Sequence, residues 1–144
     1  MIPYGKQDII NDDIDAVVEV LKSDFITQGP QVPLFESAIK SAVNVEYTFA
    51  LNSATSGLHV ACLALGVGKG DLVWTSPVTF VASANCALYC GAEIDFVDID
   101  PITYNICCDK LAKKLSAAKL KGTLPKVVIP VHLTGQSCDM EKIS

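Results

Sequence analysis

The sequence predicts an α/β protein with a mostly parallel sheet and helices on both faces. Short apolar segments alternate with amphipathic ones over most of the chain, which is the order expected of β-α-β crossovers. The apolar segments are nearly continuous hydrophobic runs, as in strands that helices cover on both sides. The expected strands are residues 47–51, 72–75, 93–97 and 126–132.

Amphipathic segments supply the expected helices. The first runs from Asn11 or Asp12, either of which could cap it, to Lys22. Its apolar residues recur at the spacing of one helical face. A loop at 23–33, punctuated by Gly-Pro and a second proline, precedes another amphipathic helix from Leu34. Further helices are expected at 58–65, 80–89 and 109–121, and Asp139 is expected to cap one more.

Composition restricts the function. The 144 residues include 11 lysines and no arginine, and the formal net charge is −5. Half the residues are apolar, which excludes a disordered chain, and the acidic balance argues against a nucleic-acid partner. No apolar run reaches the ~20 residues of a membrane span, and no signal-peptide pattern begins the chain. We therefore expect a cytoplasmic protein with reduced thiols and no membrane partner.

The six cysteines offer one possible metal pair. Cys86 and Cys90 stand four residues apart on an expected helix, but no histidine or second cysteine pair has a suitable spacing. Buried core positions are the favoured interpretation, as they are for the adjacent Cys107 and Cys108. We therefore predict no metal site.

Small polar residues lie between the first expected strand and the next helix. Ser53, Ala54, Thr55 and Ser56 form this turn. A helix N-terminus presents unpaired N–H groups and a positive dipole end, so these residues could bind a phosphate without arginine. The same pattern fits an ordinary Ser/Thr helix cap, and both interpretations stay open. The turn matches neither a Walker loop nor GxGxxG.

Other residues at the expected carboxyl ends of strands also have two interpretations. Phe80 could stack on a planar ligand, but core packing is favoured from the residue alone. His132 could act on a substrate or be a hydrogen-bonded structural histidine. Asp98 and Asp100 are expected to form a turn rather than a catalytic pair. Trp74 is expected in the core.

An ordered set of motifs resembles a known family over essentially the whole chain. The motifs are NSATSGLH (52–59), ALGVGKGD (64–71), SPVTFVASAN (76–85), FVDIDP (96–101) and PVHLTGQ (130–136). They resemble the DegT/DnrJ/EryC1/StrS family of sugar aminotransferases, which depend on pyridoxal 5′-phosphate (PLP). The resemblance implies the N-terminal part of the large domain of fold type I, the aspartate aminotransferase-like fold of PLP-dependent transferases.

The resemblance also implies residue roles. Ala54, where most family members have glycine, would contact the PLP phosphate together with Thr55 and Ser56. Phe80 would stack on the pyridine ring, which reverses the core interpretation. The residues implied to shape the sugar-nucleotide site are Tyr4, Asp24, Phe25, Ile26 and Thr27.

The implied organisation is an N-terminal helix and substrate-site loop at 1–33, followed by the first portion of the PLP-binding domain at 34–144. The implied reaction moves an amino group from a donor such as glutamate to the C4 keto group of a UDP-linked 4-keto-6-deoxy-hexose. A homodimer with shared active sites is implied as well. The reaction belongs to surface-polysaccharide biosynthesis.

In the family, the lysine that bonds the cofactor and the aspartate at the pyridine nitrogen lie beyond the position of Ser144. None of the 11 lysines matches that lysine, so no catalytic residue is assigned and the chain alone is expected to be inactive. Two alternatives stay open. One is a PLP-dependent sugar dehydratase of the same family, with histidine in place of the lysine. The other is a non-catalytic phosphate- or nucleotide-binding module.

Overall fold

A computed structural model describes residues 5–144 of the chain. The chain divides between Ala50 and Leu51 into two compact units. The proposed division at 33/34 concerns the roles of the two regions in a larger enzyme, and it stays a prediction.

Helix α1 of the first unit spans Asn11–Lys22, and its cap differs from the expected one. The N-cap residue is Ile10, which has an extended backbone directly before the first helical residue. Its N–H donates to the Asp13 carboxylate at 3.0 Å. The expectation of Asn11 or Asp12 as the cap is therefore wrong. Most apolar side chains of the predicted face are exposed in this structure, among them Ile14, Val17 and Leu21, while Val18 is half-buried.

Helix α2 spans Gln31–Val43 and begins three residues before Leu34. The loop expected at 23–33 is therefore shorter, since Pro33 lies in the first helical turn. Proline is tolerated there because its missing N–H would have no intrahelical acceptor. The helix ends at Asn44, which adopts a left-handed conformation with φ 51°.

The strand expected at 47–51 does not form. The polar groups of this segment bond to α2: the Thr48 hydroxyl donates to the Glu36 carbonyl at 2.6 Å, and the Ala50 N–H donates to the Glu36 carboxylate at 2.8 Å. A strand needs a neighbouring backbone for its N–H and C=O groups, and no strand of the described residues pairs with this segment. Phe49 is accordingly 79% exposed.

The second unit contains a three-stranded parallel sheet in the order β2-β1-β3. Its strands are β1 (Leu72–Thr75), β2 (Glu93–Phe96) and β3 (Val127–Ile129). Three of the four predicted strands are therefore confirmed, and β3 is shorter than the 126–132 expected. Because all three strands are parallel, their carboxyl ends meet at one edge of the sheet.

The second unit also contains four helices, of which the first precedes β1 and the others follow the strands. They are α3 (Ala54–Ala64), α4 (Ala82–Tyr89), α5 (Cys108–Lys121) and α6 (Met140–Ile143), with a short 3-10 turn at Leu133–Gly135. Helix α3 begins four residues before the expected 58, and α4 begins two residues after Phe80. The Asp139 carboxylate accepts from the Lys142 N–H, which confirms it as a cap. Within residues 5–144, no helix is long and apolar enough to cross a membrane.

The core lies on both faces of β1. Val73 packs with side chains of α3 and α4, including Cys62 and Cys86, on one face. Trp74 packs on the other face with residues of α5 such as Leu111. Successive strand residues point to opposite faces, so this alternation confirms the prediction of helices on both sides. The core interpretations of Trp74 and Cys86 are also confirmed. Cys90 is half-buried against the same core. Cys107 and Cys108 are only half-buried at the start of α5, so the prediction of buried positions is wrong for these two.

Candidate cofactor and substrate site

The N-terminus of α3 has the geometry of an anion site. Ser53 is the N-cap residue, and its Oγ accepts a hydrogen bond from the Ser56 N–H at 3.2 Å. The first N–H groups of a helix have no intrahelical acceptor, and this cap satisfies only one of them. Among the residues that the structure describes, the N–H groups of Ala54 and Thr55 have no hydrogen-bond partner, so they can donate to a ligand or to water.

The hydroxyl groups of the same turn are arranged as donors. The Ser53 hydroxyl donates to Ser56 Oγ at 3.1 Å, which leaves the Ser56 proton to point elsewhere. Ala54 is exposed, while Thr55 and Ser56 are half-buried. The turn is thus both a helix cap and an open set of N–H and O–H donors, and the two interpretations of the sequence are compatible.

Phe80 follows β1 in the loop that leads to α4. Its side chain is 74% exposed, so the core packing favoured from the residue alone is wrong. The Phe80 carbonyl accepts from the Ser83 N–H at 3.1 Å, and a Thr79–Ser83 hydroxyl bond of 3.0 Å closes the same turn. An exposed aromatic ring on a fixed turn suits stacking on a planar ligand, and that role stays a prediction.

Ser76, the residue after β1, was not singled out from the sequence. It is 1% exposed, and within the described residues its hydroxyl has no hydrogen-bond partner. A buried hydroxyl without a hydrogen-bond partner destabilises the folded protein. The Ser76 hydroxyl lies at the carboxyl end of the central strand, where ligands of parallel sheets bind. A serine placed directly between an apolar strand and Pro77 is the signal that could have identified it.

The loop after β3 contains His132, which is exposed and whose Nδ1 accepts from the Cys138 N–H at 3.0 Å. The sequence left a hydrogen-bonded histidine open, and this contact supplies it. Asn105 contacts the same loop and is not among the site residues predicted from the sequence. It is a buried amide between two turns, a position where both its donors and its acceptor can be used.

Asp98 and Asp100 form the expected turn. The Asp100 carboxylate accepts from the N–H groups of Thr103 and Ile102 at 2.9 Å, and these bonds hold the pKa of Asp100 below its usual range. The ammonium of Lys110 lies 2.5 Å from Asp98 and lowers the pKa of that carboxyl. Both carboxylates are therefore held in the charged form by structural partners, unlike a proton-sharing catalytic pair.

The expected substrate residues belong to the first unit. Tyr4 lies outside the described residues. Asp24 to Thr27 are exposed in the turn between α1 and α2. Gly29 permits this turn, because a Cβ there would lie 2.9 Å from the Cβ of Phe25. The roles of these residues in substrate binding stay predictions.

Comparison with known protein families shows to which family the chain belongs. The model of the DegT/DnrJ/EryC1/StrS aminotransferase family matches residues 7–144. The chain belongs to this family. The aminotransferases of the DegT/DnrJ/EryC1/StrS family are PLP-dependent, and the fold described above is the α/β fold of its solved members.

Two relatives illustrate the similarity in sequence. The spore coat polysaccharide biosynthesis protein SpsC of Bacillus subtilis is 42% identical over 99% of this chain and 35% of its own length. The UDP-4-amino-4,6-dideoxy-N-acetyl-beta-L-altrosamine transaminase of Campylobacter jejuni is 42% identical over the whole of this chain and 37% of its own length. The chain thus spans about a third of the length of these relatives.

Solved structures of the family agree with this fold. Helicobacter pylori PseC, an aminotransferase of pseudaminic acid biosynthesis, superposes with a TM-score of 0.87 at 31% identity, over 98% of this chain and 37% of its own. The PLP-form of the sugar aminotransferase Spr1654 from Streptococcus pneumoniae gives 0.85 at 32% identity, over 99% of this chain and 35% of its own.

Proposed function

We propose that this chain is the N-terminal third of a PLP-dependent nucleotide-sugar aminotransferase. The enzyme would transfer an amino group, from glutamate or a similar donor, to the C4 keto group of a UDP-linked 4-keto-6-deoxy-hexose. Family membership supports the reaction, and the similarity to the Campylobacter jejuni transaminase and to PseC supports a substrate of pseudaminic acid biosynthesis. No observation favours the dehydratase or the binding-module alternative.

The N-terminus of α3 is the observation that carries this proposal. PLP, when bound, supplies an electron sink that lets an amino group pass from donor to acceptor. Its phosphate would meet the free N–H groups of Ala54 and Thr55, the Thr55 and Ser56 hydroxyls, and the positive end of the helix dipole. This donor set fits a phosphate dianion without arginine, of which the chain has none.

Residues at the carboxyl ends of the strands support the same placement of the cofactor. Phe80 offers an exposed ring for the pyridine face, and the Ser76 hydroxyl is a buried group that lacks a partner within the described residues. Stacking on an aromatic ring holds a flat cofactor in one plane and shields that face from water. These residues would bind and orient the cofactor, and we assign none of them a role in proton transfer.

The residues described above would bind the cofactor without supplying the groups that carry out the amino transfer. We propose that the lysine and the carboxylate required for it come from the remaining two-thirds of the enzyme, so that this chain is inactive alone. The groups that bind the UDP phosphates would come largely from there as well. We further propose a cytoplasmic homodimer in which Asp24, Phe25, Ile26 and Thr27, with Tyr4, contribute to the substrate site.

Thr55→Val in the complete enzyme tests the cofactor site. The variant removes one hydroxyl at constant size, and Thr123→Val, at an exposed threonine after α5, is the matched control. Hydrogen bonds to charged groups contribute about 1.5–3 kcal/mol, so Thr55→Val should weaken PLP binding roughly tenfold or more, and Thr123→Val should not. Equal affinity of both variants would contradict the phosphate site.

The reaction is tested separately with the PLP-loaded enzyme. Mixing it with glutamate and a UDP-4-keto-6-deoxy-hexose should produce the 4-amino sugar, detected by mass spectrometry. An enzyme that binds PLP but aminates no such sugar with any amino-acid donor would contradict the proposed function. Release of a dehydrated sugar would indicate the dehydratase instead.

A further inference from the structure

Asn105 joins two loops at the carboxyl edge of the sheet. It is 4% exposed and lies between β2 and α5. Its Nδ2 donates to the carbonyls of Gln136 at 2.9 Å and Ser137 at 3.1 Å, and its Oδ1 accepts from the Leu133 N–H at 3.0 Å. One buried amide thus uses both donors and its acceptor on the loop that follows β3.

The backbone of Asn105 is itself fixed. Its carbonyl accepts from the Asp100 N–H at 2.9 Å, and an antiparallel bridge joins Ile99 to Ile106 beside it. Only an amide of this length satisfies the three partners, because an aspartate would turn an acceptor toward two carbonyl oxygens. The side chain of Asn105 is therefore a rigid clamp and not an adaptable surface contact.

The clamped loop has an uncommon backbone. Thr134 adopts φ 53° and Gly135 φ 85°, both in the left-handed region. That region costs a residue with a Cβ about 1–2 kcal/mol, so Thr134 needs compensating contacts. The hydrogen bonds from Asn105 lie on both sides of Thr134 and supply them.

The same loop fixes the ring of His132. Nδ1 accepts from the Cys138 N–H at 3.0 Å, and the buried Cys138 thiol donates to the Val131 carbonyl at 3.2 Å. In a neutral imidazole, an Nδ1 that accepts a hydrogen bond leaves the proton on Nε2. Nε2 of the neutral His132 ring is therefore an N–H donor, with no free lone pair with which to act as a base.

His132 follows β3 at the carboxyl end of the sheet, the end at which ligands of parallel sheets bind. Ile129 of β3 pairs with Thr75 of β1, so His132, three residues after Ile129, and Phe80, five residues after Thr75, follow the same edge of the sheet. We infer that Asn105 is a positioning residue that holds His132 as an Nε2–H donor to an anionic oxygen of the bound ligand. This inference rests on the proposed function. The oxygen belongs either to the cofactor or to the nucleotide diphosphate.

Nuclear magnetic resonance of the enzyme labelled with 15N-histidine tests the tautomer. His132→Gln identifies the His132 signals, and His59 on α3 is the internal control. In the unsubstituted protein, His132 should show the Nε2–H tautomer only, and the Cys138 amide should be protected from hydrogen exchange. A ring protonated at Nδ1, or an unprotected Cys138 amide, would overturn the inference without any variant.

Asn105→Asp then tests the clamp. Exchange of the Cys138 amide should become at least about tenfold faster, as expected when a buried hydrogen-bond network loses its donors. The His132 signals should shift or broaden, while those of His59 stay unchanged. A variant that keeps the Cys138 protection and the His132 signals of the parent would show that Asn105 does not position the ring.

The ligand is tested with two probes added separately. Pyridoxine 5′-phosphate has the ring and phosphate of the cofactor but no aldehyde to react with lysines, and UDP has the diphosphate. One of them should shift the His132 Nε2–H signal, and the probe that does so identifies the source of the oxygen. If neither probe shifts it, the donor role of His132 is wrong, even where the Thr55→Val experiment upholds the cofactor site.

Discussion

Lys114 of α5 lies with its ammonium 4.6 Å from the centroid of the Trp74 ring. The same ammonium is 2.6 Å from the Asp95 carboxylate and donates to the Phe96 carbonyl at 2.6 Å. One cation therefore connects α5 to the buried indole of β1 and to the edge strand β2. The Asp95 hydrogen bond with Lys114 also holds the pKa of that carboxyl below its usual value.

Lys114→Met should destabilise the second unit by about 1 kcal/mol. Cation–π contacts contribute about 0.5–1 kcal/mol at such sites, and a half-exposed ion pair adds a few tenths more. Methionine keeps most of the aliphatic length of lysine, so the loss in the free energy of unfolding measures the contribution of the charge. Urea unfolding followed by the fluorescence of Trp74, the one tryptophan of the chain, measures it.

Lys113→Met is the matched control for this substitution. Lys113 is the neighbouring, exposed lysine of α5. It should change the unfolding midpoint little, because surface charges of this kind contribute almost nothing. Equal losses in both variants would show that the helix as a whole, and not the contact with Trp74, responds to the removal of a lysine.

The sequence predicted the elements whose pattern is local. Strand β1 was predicted at its observed residues because Leu72–Thr75 is an apolar run between two turns, and the burial of Trp74 followed from its place in that run. The segment 47–51 is also largely apolar, but no strand of the described residues pairs with it. Pairing is a property of the neighbouring backbone, which a single segment does not contain, so the prediction failed there.

The residues of the candidate site also differ in whether their role can be predicted from adjacent residues. The turn at Ser53 could be recognised because a helix cap and an anion site both depend on adjacent residues. Asn105 could not, because its partners lie about 30 residues further along the chain. Phe80 was placed correctly outside the core only through the family resemblance, since an isolated phenylalanine is more often buried.

The Asp71–Lys126 pair predicts a stability change at acid pH. The Lys126 ammonium, 2.8 Å away, and the Gly68 N–H hold the pKa of Asp71 below its usual value. Because the folded pKa is the lower one, the stabilisation is present above the unfolded pKa of about 3.9 and is lost as the pH falls through the folded pKa. Asp71→Asn should therefore lower the melting temperature at neutral pH.

Melting temperatures measured at a series of pH values test this prediction. The difference in melting temperature between the parent and Asp71→Asn should be constant near neutrality and shrink in the acid range. Asp8→Asn, at an exposed aspartate outside any helix or strand, is the control and should show no such difference. A gap that widened on acidification would contradict the assigned sign.

Cys62 should resist alkylation. It is 2% exposed in the core, and burial, together with its contact with Cys86, raises the pKa of Cys62 to about 11. Reaction depends on thiolate and access, so at pH 8 iodoacetamide should modify it about a hundredfold more slowly than the half-exposed Cys107. Peptide mass spectrometry measures the rates. The difference between the two alkylation rates should disappear in guanidinium. Rapid alkylation of Cys62 in the native protein would contradict its core position.

Gly122→Ala separates backbone strain from crowding at the end of α5. Gly122 is the C-cap residue with φ 69°, and a Cβ there would meet nothing within 4 Å. The cost is then conformational only, about 1 kcal/mol, measured from the urea midpoint. Gly68→Ala is the control, because its surroundings are equally open and its φ is outside the left-handed region. It should be neutral or slightly stabilising, since alanine restricts the unfolded chain. Equal losses in both variants would mean that Gly122 is required for something other than its positive φ.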